Sequence, residues 1–106
     1  MKKNIIKTWE SKNDFKEAVN LYAGKIKVKI KQITLRLMTR KWASCSNKGY
    51  FTFNTELLGM NHALGEYVIL HELLHYHVPN HGKLWKSLME THMPNYKKRE
   101  EELKHI

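Results

Sequence analysis

The chain has 106 residues, a net charge of +9 from 19 Lys+Arg against 10 Asp+Glu, 42% apolar and 27% charged residues, and a single cysteine. That composition describes one globular domain spanning residues 1–106, excludes intrinsic disorder and an internal disulfide, and fits a reducing cytoplasmic setting. No apolar run reaches the roughly 20 residues of a membrane span, and the two apolar residues after the N-terminal lysines are too few for a signal-peptide core.

In chain order, Ser11 followed by Asp14 reads as a helix start. Phe15, Val19 and Tyr22 follow at helical spacing and Gly24 as a stop, so a first helix is expected over Lys12–Ala23. Lys25, Lys27, Lys29 and Lys31 then alternate with Ile26, Val28 and Ile30, which predicts a strand with one apolar and one lysine face. Ile33–Met38 reads as a second strand, Lys41–Ser46 as a short third, Asn47-Lys48-Gly49 as a turn and Tyr50–Asn54 as a fourth strand. From Asn61 a wide apolar stripe (Ala63, Leu64, Tyr67, Val68, Leu70, Leu73, Leu74) predicts a helix that ends near His77, because Pro79 disfavours helix at Val78. Gly82–His92 is a further helix with Leu84, Trp85, Leu88 and Met89 on its buried side. Pro94 breaks it, and Tyr96–His105 is a charged helical tail. The fold class is α+β: a twisted, mostly antiparallel sheet, read from the pattern alone as a meander or a mixed sheet, beside a group of helices.

The chemistry sits in His71-Glu72-Leu73-Leu74-His75, an H-E-x-x-H sequence on the long helix. Residues four apart share a helical face, so two imidazoles can reach one Zn²⁺ at about 2.0 to 2.1 Å. Glu72 is rotated about 100° from His71. It does not naturally join them as a ligand; it can instead reach a water in the open coordination position, where a carboxylate can take a proton as general base and later deliver it to a leaving amine. A catalytic zinc needs a third protein ligand. His81 follows the Val78-Pro79-Asn80 stop and is the best candidate. His71, His75 and His81 have the metzincin spacing, but Val78 stands at the metzincin glycine and the chain has no room for that fold. His62, His77, His92 and His105 are read as surface, loop, helix-end and tail histidines. His92 could also approach the site, and His105 could block an open zinc position. Cys45 is a buried small residue or, as its alternative, a thiolate ligand.

These segments together resemble the YgjP-like minimal zinc metallopeptidases, or minigluzincins. The carrying residues are Leu35–Ser46, Phe53-Asn54, Val68–His75, Pro79-Asn80-His81, Leu84-Trp85 and Met93-Pro94. The resemblance implies a small zincin-like core with a backing helix, an active-site helix and C-terminal helices. It implies His71, His75 and His81 as zinc ligands, Glu72 as general base, and hydrolysis of peptide bonds in a protein or peptide substrate. The family pattern has Arg-Trp-Gly-Ser-Cys-Ser where this chain reads Lys41–Ser46, and serine where Gly82 stands; both changes keep small residues small. It also implies that the segment after about residue 94 can cover the cleft, as a latency tail or as a swapped segment in a homodimer.

Charge leaves other readings open. Residues 1–48 hold 13 basic and 3 acidic side chains, whereas residues 49–106 hold 6 and 7. A basic half suits nucleic acid as well as a solvated lysine face. A zinc-binding nucleic-acid-associated module and a catalytically silent scaffold therefore stand beside the peptidase.

Overall fold

The structure, a computed structural model, describes residues 7–106. Helix α1 spans Lys12–Ile26. Ser11 Oγ accepts from the Asp14 amide at 3.1 Å while the Asp14 carboxylate accepts from the Glu10 amide at 3.1 Å, a reciprocal cap that fixes the start. The stop differs from expectation. Gly24 lies inside the helix on its exposed side, and the chain leaves the helix only at Lys27, in the left-handed region at φ 58°, ψ 50°. The Val28 amide then closes the end on the Ala23 carbonyl at 2.9 Å.

The alternating segment from Lys25 to Lys31 is therefore not a strand. Its first two residues finish α1, its third is the cap, and residues 28–31 run without strand pairing into the sheet. Ile26 satisfies both periods, extending the Phe15–Val19–Ala23 stripe of the helix as well as the alternation. Packing of that stripe decides between them.

Three strands follow: β1 (Gln32–Arg36), β2 (Ala43–Cys45) and β3 (Tyr50–Asn54), in the order β1-β3-β2. β3 pairs parallel with β1 along five residues and antiparallel with β2 along three, so the sheet is mixed rather than mostly antiparallel. β3 takes the centre because its alternate side chains, Phe51 and Phe53, are the apolar bulk of the strand and are wholly buried. Phe53 meets Phe15 of α1 edge-on at 5.2 Å. The hairpin from β2 to β3 turns at Gly49, whose φ of +96° and whose approach to the Lys29 carbonyl leave no space for a Cβ.

Among the described residues, Asn54 is the one buried polar residue of the core. Its amide donates to the Met38 and Lys41 carbonyls, both at 2.9 Å, and its Oδ1 accepts from the Glu56 amide at 3.0 Å. It thus ties the connection before β2 to the end of β3 and starts a 3-10 turn over Thr55–Gly59. This turn was outside the sequence expectation.

Three more helices complete the fold: α2 (His62–His77), α3 (Lys83–His92) and α4 (Tyr96–Lys104). α2 is central, packed on α1, β2, α3 and α4. That explains why its buried set, from Leu64 to Leu74, covers most of its circumference and leaves half-buried only His62, Ala63 and Glu66 near its start and a strip of His71, Glu72, His75 and Tyr76 toward its end. Trp9 lies across α2 at Gly65, with its ring on Phe15. The α+β class, the backing helix and the C-terminal helices are as expected. Among the described residues no helix is long and apolar enough to cross a membrane.

Candidate metal centre

The half-buried strip of α2 carries His71, Glu72 and His75. Asn61 starts the helix by accepting from the Ala63 amide at 3.0 Å. At its other end the Val78 amide bonds the Leu74 carbonyl at 2.8 Å, and Val78 is extended (φ −130°, ψ 100°), as a residue before proline prefers. The chain then reverses. Asn80 Oδ1 accepts from the Gly82 amide at 2.9 Å, and the turn returns His81 to the strip.

His71, His75 and His81 converge. Each offers a ring nitrogen, and the three nitrogens lie within 4.8 Å of one another. Ring centroids are 4.7 Å apart for His71 and His75, 4.9 Å for His71 and His81, and 4.5 Å for His75 and His81. His75 Nδ1 faces the Val78 carbonyl at 3.3 Å, so the proton belongs on Nδ1 and the Nε2 lone pair points away, toward the cluster. His71 Nδ1 lies 3.1 Å from Glu72 Oε2 and is held in the same way by a carboxylate.

The donor set fits a zinc ion: three imidazoles, two oriented by a second partner, with Trp85 of α3 packed against all three rings at 5.3, 5.9 and 4.5 Å. The spacing of His75 and His81 tests that fit. Their Nε2 atoms are 2.6 Å apart, a hydrogen-bond distance, whereas two nitrogens on one tetrahedral zinc sit about 3.3 Å apart. His81 is exposed and on a loop, so several tenths of an ångström are within its reach. Slight desolvation of the ring against its neighbours, and then the His71 and His75 rings, push the His81 pKa below its ordinary value, which favours the neutral form that can ligate.

Glu72 is less exposed than His71, its side chain retaining 13% of its surface. Cys45 of β2 lies beside it: burial first, then the Glu72 carboxylate, push the thiol pKa up to about 11. Cys45 is thus a half-buried neighbour of Glu72 and stands outside the group of three metal donors. A cleft of about 290 Å³ opens next to these residues. Trp42 and Ala43 line it from the sheet side, Tyr67, Val68, His71 and Glu72 from α2, and Glu100, Leu103 and Lys104 from α4. Tyr67 donates its hydroxyl to Glu100 Oε2 at 3.1 Å. Burial, then Glu100, raise the phenol pKa, so it remains a donor.

The other histidines have structural places. His62 stacks on Trp9 at 3.6 Å and lies 3.5 Å from Glu66, so it is half-buried rather than a plain surface residue. His77 Nε2 reaches the Ile26 and Lys27 carbonyls at 2.9 and 3.1 Å and can cap the end of α1. His92 ends α3 outside the donor group, and His105 bonds Glu101 at 2.9 Å rather than reaching the cluster. Sequence reasoning placed Trp85 only on the buried side of its helix and gave Tyr67 only to the apolar stripe. The i, i+4 spacing of Tyr67 and His71 was the available signal for Tyr67, while Trp85 needed the reversal at Asn80 to become a neighbour.

Two solved structures share this arrangement of elements. The metallopeptidase zymogen jannalysin of Methanocaldococcus jannaschii superposes with a TM-score of 0.76 at 23% identity, over 86% of this chain and 94% of that one. The metallopeptidase zymogen abylysin of Pyrococcus abyssi gives 0.74 at 18% identity, over 84% and 90%. At these identities the likeness is one of fold. No curated protein sequence matches significantly. The model of the YgjP-like metallopeptidase domain matches residues 1–106, and the chain belongs to that family of metallopeptidases.

Proposed function

We propose that the chain is a zinc-dependent endopeptidase, latent while α4 lies on the cleft, with His71, His75 and His81 holding the ion and Glu72 as general base. The observation that carries this reading is the convergence of three imidazoles beside a carboxylate on a half-buried strip of one helix. A zinc ion there supplies a Lewis acid that polarises a carbonyl and brings the pKa of water toward neutrality. The chain's own residues do the rest. Val78 and Glu72 hold the His75 and His71 tautomers, and Trp85 backs the three rings. Glu72, facing the cleft, takes the proton from the attacking water and returns it to the leaving amine. β2 is an edge strand over α2, and its unpaired side offers backbone hydrogen bonds to an extended peptide.

Latency is supported by the three α4 residues that line the cleft and by the zymogen state of the two structural neighbours. The test is cleavage of a peptide library by the zinc-loaded chain before and after limited proteolysis beyond Pro94. Expected are little cleavage before, cleavage after, and none at any stage from Glu72→Ala with its zinc retained. Equal cleavage by Glu72→Ala contradicts the reading.

A further inference from the structure

Tyr67 stands one turn before His71 on the same face of α2, with ring centroids 5.8 Å apart, and forms part of the cleft wall beside Glu72. It is 4% exposed, and a phenol so placed needs an acceptor. The acceptor comes from neither the sheet, nor α1, nor α3. It is Glu100 of α4, at 3.1 Å. α4 is anchored by few apolar side chains: seven of its nine residues, YKKREEELK, are charged, and Tyr96 alone is buried, with Leu103 packed beside the core. Its carboxylate therefore reaches into the cleft that His71, Glu72 and Lys104 also line, and it satisfies a donor there. A peptide carbonyl oxygen is the same kind of acceptor. Once α4 lifts, the hydroxyl loses its partner while still facing the cleft.

We propose that Tyr67 is a catalytic residue whose hydroxyl donates to a carbonyl oxygen of the bound peptide, and that Glu100 occupies that acceptor position in the closed chain. The proposal rests on the peptidase reading above and deepens it. It separates two roles that a latch alone would merge. If the pair were only a latch, removing either partner would open the cleft equally. If Tyr67 also serves the substrate, its loss cancels the gain that opening brings.

The experiment uses full-length, zinc-loaded protein: wild type, Glu100→Ala, Tyr67→Phe, the double variant, and Glu72→Ala combined with Glu100→Ala. Glu100→Met, which keeps the side-chain length and offers no oxygen acceptor, is a second opening variant. The readouts are kcat/KM on a fluorogenic peptide, affinity for a phosphinic peptide by calorimetry, and zinc affinity. Glu100→Ala should raise kcat/KM about tenfold or more, and adding Tyr67→Phe should lower it again by about tenfold or more. Phosphinic-peptide affinity should fall in parallel, with zinc affinity unchanged. A double variant as active as Glu100→Ala, or a Tyr67→Phe gain equal to that of Glu100→Ala, overturns the proposal. In those cases activity still depends on Glu72, and the peptidase reading survives. No cleavage by any variant that keeps Glu72, opened ones included, overturns both.

Discussion

Replacing Asn54 by alanine deletes three hydrogen bonds at once: two donated to the Met38 and Lys41 carbonyls and one accepted from the Glu56 amide. Each is worth roughly 0.5 to 1.5 kcal/mol net. Lys41 and Glu56 are exposed residues, so water can replace part of what their backbone loses, whereas Met38 is half-buried. The expected loss is therefore about 2 to 3 kcal/mol, or roughly 10 to 20 °C in melting temperature for a domain of this size. Urea unfolding followed by circular dichroism measures it. Asn54→Asp sharpens the test. The carboxylate can still accept from Glu56 but faces two carbonyl oxygens with no proton to give, so it should cost at least as much as alanine. The same connection leads into β2, whose Ala43 lines the cleft and whose Cys45 lies beside Glu72, so the variants should also weaken zinc binding. A loss under about 0.5 kcal/mol for alanine, or an aspartate variant as stable as wild type, would refute the role given to this side chain.

A methyl group added at Gly65 would overlap the Trp9 indole, so Gly65→Ala should cost about 1 to 3 kcal/mol by urea unfolding, and a neutral effect would contradict the close packing of Trp9 on α2. Cys45, with its thiol pushed up to about 11, should react with iodoacetamide at pH 8 at least about tenfold more slowly than a peptide cysteine; equal rates would show that it is not held against Glu72. Alanine at Gly49 requires a left-handed turn that side chains avoid and places a Cβ 2.7 Å from the Lys29 carbonyl, so Gly49→Ala should lose about 2 kcal/mol or more and no loss would remove that argument.

Much of this architecture can be read along the chain where one period dominates. α2 begins and ends where Asn61 and Pro79 indicate, and β3 matches its alternating aromatics from Tyr50 to Asn54. The three histidines are separated by four and six residues, and one helix turn plus one reversal are enough to bring them together. Reading failed where two periods overlapped, from Lys25 to Lys31: local alternation could not register that Ile26 continues a stripe already buried on α2 and the sheet. It also failed on strand direction, because the parallel pairing of β1 with β3 depends on where the connection through residues 37–42 is tied down, and Asn54 does that across 13 to 16 residues. The placement of α4 was legible only through resemblance, since a helix with so few apolar residues announces no partner of its own.

X-ray absorption at the zinc K-edge of the full-length, zinc-loaded chain tests the metal centre most directly. The account predicts one zinc per chain in a four-coordinate shell of nitrogen and oxygen at about 2.0 to 2.1 Å, with three imidazole signatures that fall to two in His81→Ala. A sulfur shell near about 2.3 Å, or a spectrum unchanged by His81→Ala, would contradict it.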